Sequence, residues 1–86
     1  MSKPIDSEAQ LGPVVARAVK AFYGDMQDVH IVKVDRLPLF HQPKEGWMVH
    51  VKFHDNTHSY SVQIDVRMAD GSITRSVELG RRPLGA

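Results

Sequence analysis

From Trp47 onward, apolar and polar positions alternate with a period of two. Trp47, Val49, Val51 and Phe53 fall on one side and Met48, His50, Lys52 and His54 on the other, the pattern of a strand with one buried face. A second run repeats it, with Tyr60, Val62, Ile64, Val66 and Met68 alternating with Ser59, Ser61, Gln63, Asp65 and Arg67. Setting Phe53 opposite Tyr60 brings Val51 to Val62, Val49 to Ile64 and Trp47 to Val66. That single antiparallel register keeps every apolar side chain on one face and leaves residues 55–58 as the connecting loop.

Asp70-Gly71 then signals a two-residue type I′ hairpin turn, in which both positions take positive φ. Such a turn pairs Met68 with Ile73, Val66 with Arg75, Ile64 with Val77 and Val62 with Leu79. The fourth strand therefore adds to the apolar face, with Arg75 as the lone charge in the row.

Upstream of this sheet, Gly12-Pro13 and Gly24 punctuate a helix over residues 13–23. Val14, Val15, Ala18, Val19 and Phe22 make its apolar stripe. Ser7 and Gln10 have capping-box spacing, but a helix begun there would place Pro13 in its interior, so a separate turn before Gly12 is expected. Residues 29–35, rich in β-branched side chains, read as a first strand, bulged because Ile31 and Val32 are adjacent. Residues 37–44 carry Pro38 and Pro43 and read as a loop. It holds two large apolar residues, Leu39 and Phe40, which either fold back over the open end of the core, the simpler expectation, or form an interaction loop for a partner.

The expected fold class is α+β: one N-terminal helix packed on a four-stranded antiparallel meander. In shape it resembles the cystatin-like arrangement, a likeness that assigns no function. The expected organisation is a flexible segment over residues 1–10, one domain over 11–81 and a C-terminal tail over 82–86. An 11-residue helix is about 16 Å long, whereas a strand of about ten residues spans roughly 33 Å. The sheet thus offers more apolar surface than the helix covers, so either the 37–40 loop and the N-terminal segment complete the cover or, as preferred, the chain homodimerises through that face or a strand edge.

With 86 residues the chain supports one hydrophobic core. It has no cysteine, which removes disulfides and thiol chemistry. Eleven basic and ten acidic residues are interspersed and sum to +1, so no large field favours nucleic acid, and no apolar run of membrane-spanning length occurs. A cytoplasmic, non-membrane protein is the default expectation.

Candidate chemistry is sparse. His54, Asp55 and His58 are weak metal-ligand candidates at the hairpin loop; no metal and no cofactor is assigned. His50, Gln63 and Glu78 form an expected cross-strand cluster on the polar face, where nothing desolvates them enough to tune a general base. No nucleophile elbow, phosphate loop or dinucleotide fingerprint is present. Two functions follow. The preferred one is a small non-enzymatic binding or assembly module that homodimerises. The alternative is a small-molecule binding protein or small enzyme with a pocket between helix and sheet, built from Trp47, Tyr60 and Arg75 and taking an apolar or anionic ligand.

Overall fold

In the computed structural model, which describes residues 4–85, a short 3₁₀ turn at Glu8–Gln10 runs directly into helix α1, Leu11–Tyr23. Four strands follow: β1, Gln27–Leu37; β2, Gly46–His54; β3, His58–Arg67; and β4, Ile73–Pro83. All neighbours pair antiparallel in the order β1-β2-β3-β4. This is the α+β helix-plus-meander arrangement that the alternation predicts.

The helix begins two residues earlier than its punctuation suggests. The Gln10 side-chain oxygen accepts the backbone N–H groups of Asp6 at 2.9 Å and Ser7 at 3.0 Å, organising the turn that feeds it. Pro13 then lies in the first turn of α1, where backbone N–H groups lack an intrahelical partner anyway. Gly24 closes the helix at φ +87°, its N–H donating to the Lys20 carbonyl at 3.0 Å.

The helix covers the sheet because the strip it must cover is shorter than the strands. Trp47 and Phe53 are six residues apart, which is about 20 Å in an extended strand, and the 13 residues of α1 rise about the same distance. Leu11, Val14, Val15, Ala18 and Val19 meet Trp47, Val49, Val51 and Phe53 of β2 and Tyr60, Val62, Ile64 and Val66 of β3, all at most 7% exposed. Phe22, assigned to the stripe from sequence, is 54% exposed. Tyr23 turns inward instead, its ring 5.0 Å from Phe53 and 5.6 Å from Tyr60.

The other end is closed by the segment before the helix. Ile5 is buried, donates its N–H to the Met68 carbonyl at 2.6 Å and accepts the Trp47 indole N–H at 2.8 Å. Residues 4–10 are thus tied to the sheet instead of trailing from it as the expected flexible segment; residues 1–3 lie outside the described ones. At the opposite terminus β4 continues through Arg82 and Pro83, residues assigned from sequence to a tail. Leu39 and Phe40 do not fold back over the core: they are 48% and 91% exposed.

The β2–β3 register is the one derived from alternation, pair for pair. The β3–β4 register departs from the derived one between Ile73 and Leu79 and returns to it from Gly80. Asp70 does not adopt positive φ, so the turn is not type I′. Instead Arg67 donates its N–H to the Ser72 carbonyl at 2.8 Å, and the Arg67 carbonyl accepts from Gly71, whose φ is +74°. Met68 cannot pair with Ile73, because its N–H donates to Glu45 and its carbonyl accepts from Ile5.

Val66 therefore meets Ile73, Thr74 is an extra residue, and Arg75 lies opposite Asp65. One inserted residue exchanges the faces of the residues that follow it, until a second irregularity restores them from Gly80 onward. Ser76 and Glu78 now accompany Ile64 and Val62 on the helix side, while Val77 accompanies Gln63 on the outer side. A second irregularity at Leu79 brings Gly80 opposite Ser61, Arg81 opposite Tyr60 and Arg82 opposite Ser59. The edge strand thus gives the helix face a polar margin, and the large uncovered apolar surface expected from the first register does not form.

This packing makes two substitutions diverge. Ile64→Ala, at the centre of the strip, is expected to lower unfolding free energy by about 2–5 kcal/mol in urea titrations. Phe22→Ala, on the exposed side of the same helix, is expected to stay within about 0.5 kcal/mol of the parent. Equal losses would contradict the assigned helix face.

Candidate functional site

The three residues of the expected helix–sheet pocket do not converge. Trp47 is fully buried and capped by Ile5, while Tyr60 is 7% exposed within the core. Arg75 lies on the opposite face beside Asp65. The edge-strand irregularity also takes apart the cross-strand cluster: His50 and Gln63 remain paired on the outer face, but Glu78 crosses to the helix side. His50 Nε2 lies 2.9 Å from Ser61 Oγ, and Gln63 donates to Asp65 at 3.1 Å.

On the helix side Glu78 joins an aromatic group that sequence spacing does not reveal. Phe53 and Tyr60 stack with centroids 5.4 Å apart. Glu78 accepts from the Tyr23 hydroxyl at 3.4 Å and from the Arg81 guanidinium at 3.0 Å, and Arg81 lies 4.9 Å over the Tyr60 ring. Burial, and then the charge of Glu78, raise the pKa of Tyr23. The hydrogen bond to Asp55 leads the causes that raise Tyr60. The Tyr23 hydroxyl thus ties the helix end to Glu78 of the edge strand, and the Tyr60 hydroxyl ties the sheet to Asp55 in the β2–β3 loop.

Asp55, a candidate metal ligand, organises the β2–β3 loop. Its carboxylate accepts the backbone N–H of His58 at 2.7 Å and of Thr57 at 2.8 Å, the Thr57 hydroxyl at 2.9 Å and the Tyr60 hydroxyl at 2.9 Å. The N–H groups of His58 and Thr57, in that order, hold its carboxyl well below the usual carboxylate range. His54 and His58 turn to local partners, the Asp55 carbonyl at 3.1 Å and the Thr57 hydroxyl at 2.9 Å. Among the described residues no group of three or more histidine or acidic side chains converges to hold a metal ion.

Recesses open on the outer face at opposite ends of the sheet. The first, 310 Å³, is lined by Leu37, Pro38, Glu45, Gly46, Val66, Arg67 and Thr74. Gly46 has no side chain where an outward one would stand, and a Cβ there would meet the Val66 carbonyl oxygen at 3.0 Å, so glycine keeps the hollow open. Phe40 projects from the adjoining loop. The Lys44 ammonium pins that loop by donating to the carbonyls of Pro38 and, at 3.0 Å, Leu39.

The second recess, a groove of 390 Å³, crosses β2, β3 and β4 where Lys52, Ser59, Ser61, Leu79, Gly80 and Arg82 come together. The sequence pattern does not reveal it, because local spacing puts Arg82 in the tail and Leu79 on the helix face. The legible signal was Gly80, a glycine inside a β-run, which commonly marks a bulge or a close approach to the backbone.

Comparison of the chain with protein-family models, curated proteins and solved structures returns no match. Among the described residues no helix is long and apolar enough to cross a membrane.

The Asp55 contacts give a signed pH dependence. A carboxyl held below its ordinary value of 3.8 stabilises the fold above that value, and the contribution fades as pH falls below it towards the lowered value. Asp55→Asn should lower the urea midpoint near pH 7, and the gap to the parent should narrow on approaching about pH 3. A gap of equal size at both would contradict the assignment.

Proposed function

We propose that this chain is a non-enzymatic binding and assembly module that pairs with a second copy of itself through the Leu39–Phe40 loop. The observation that carries the reading is Phe40, 91% exposed on a loop pinned by Lys44, next to the 310 Å³ hollow above Gly46. An aromatic ring held in water near a recess walled by Leu37 and Pro38 on the same molecule is self-complementary. Two copies related by a twofold axis would each place Phe40 against the other's Leu37, Pro38 and Gly46. A buried aromatic contributes strongly to such a contact.

The pairing surface thus moves from the apolar sheet face, which the chain's own helix covers, to the β1–β2 loop. A patch of this size gives weak, concentration-dependent association, below the area of a standard stable interface. The alternative reading, ligand binding, is favoured at a different place from the one first expected, the groove beside Lys52 and Arg82.

Light scattering coupled to size exclusion tests the pairing. The parent chain should shift towards the mass of two chains as its concentration rises into the hundreds of micromolar, and Phe40→Ser should remain at the mass of one. A parent that stays at the mass of one chain throughout, or a Phe40→Ser variant that pairs equally well, would overturn the reading.

A further inference from the structure

The outer face of the sheet is divided by charge along its strands. In register, its successive cross-strand rows carry Gln27, His54, Ser59 and Arg82; then His30, Lys52, Ser61 and Gly80; then Lys33, His50, Gln63 and Val77. None of these rows contains a carboxylate. Acids on that face begin only in the next row, with Asp35 and Asp65. Lys33 is neutralised by Asp35 at 3.6 Å and His30 approaches Asp28 at 3.9 Å, but Lys52 and Arg82 have no ion-pair partner among the described residues. Two cations are thus left uncompensated about the 390 Å³ groove, with the Ser59 and Ser61 hydroxyls between them. Arg81 also borders the groove, but its guanidinium is committed to Glu78 on the other face.

The groove exists because of two features of β4. The irregularity at Leu79 turns that side chain into a wall on the outer face, and Gly80, opposite Ser61, leaves the space beside it unfilled. A Cβ at Gly80 would meet nothing within 4 Å, so packing does not demand the glycine there. Beyond Leu79 a second hollow of 170 Å³ continues past His50 to Met48, sharing Leu79 and His50 with the first. One end of the combined groove therefore offers cations and hydroxyls, and the other offers Leu79 and Met48 beside Gln63 and the paired Lys33 and Asp35.

We propose that this groove binds a small molecule carrying a phosphate monoester on an apolar body. The phosphate sits between Lys52 and Arg82 with the hydroxyls of Ser59 and Ser61 donating to its oxygens, and the apolar body lies along Leu79 towards Met48. A tetrahedral dianion matches this donor set: a guanidinium fork, an ammonium point charge and two rotatable hydroxyls converge on several oxygens at once. The site lies at the opposite end of the sheet from Phe40 and does not depend on self-association.

Amide chemical shifts of the intact chain, followed while inorganic phosphate and then phenyl phosphate are added, test the proposal. Saturable shifts should concentrate at residues 50–52, 59–61 and 79–82 with both probes, and phenyl phosphate should bind several-fold more tightly by using Leu79. Lys52→Ala and Arg82→Ala should each weaken phenyl phosphate by about tenfold, the loss of one charge-assisted contact. Gly80→Val, which fills the groove without touching a charge, should abolish binding while the rest of the spectrum stays in place. Shifts that fail to saturate, that spread over all basic residues, or that survive Gly80→Val in a folded variant would overturn the proposal. Equal affinity for the two probes would overturn the role of the apolar wall.

Discussion

The structure depends on a match of length between one helix and one apolar strip. β2 and β3 alternate so regularly that their inward side chains can be buried only together, and the strip they form is about 20 Å long. α1 has nearly that length. Its ends are secured by different chemistry: the Trp47 indole bound to the Ile5 carbonyl at one, and the Tyr23, Phe53 and Tyr60 rings at the other. With no cysteine to cross-link it, so small a chain must obtain its stability from this packing.

Everything outside the strip follows from how the edge strands end it. On one side Arg36 lies 5.2 Å over the Trp47 ring, a cation covering the rim of the core. On the other, the extra residue at Thr74 turns Ser76 and Glu78 towards the helix and sends Val77 outward. The same exchange decides what the molecule offers to others. It dissolves the pocket that would have joined Trp47, Tyr60 and Arg75, and the second irregularity, at Leu79, completes the outer groove, whose floor is Gly80 and whose wall is Leu79.

The legibility of these parts differs for a physical reason. The central hairpin was readable to the pair, because burial of one face fixes register wherever alternation is strict. Helix α1 was readable from its stripe and from Gly24, although Phe22 fits the stripe equally well and only the position of the sheet's end leaves it in water. The β4 register was not readable from local pattern. Asp70-Gly71 is a sound turn signal, but the turn type was decided by Met68, whose backbone is engaged by Glu45 and Ile5, residues distant in sequence. Ile5 itself carried no pattern, being one apolar residue in a polar stretch. The candidate sites inherit this difference: the exposed Leu39–Phe40 loop was visible as an apolar pair between prolines, whereas the groove required Leu79 on the outer face and a strand that reaches Arg82.

That register is the hinge of the account, and cross-strand nuclear Overhauser contacts between β3 and β4 report it directly. The structure predicts contacts placing Gln63 opposite Val77 and Val62 opposite Glu78. Contacts placing Ile64 opposite Val77 and Val62 opposite Leu79 would contradict it: they would return Arg75 to the helix face, restore an apolar margin to the sheet and take the Leu79 wall from the groove.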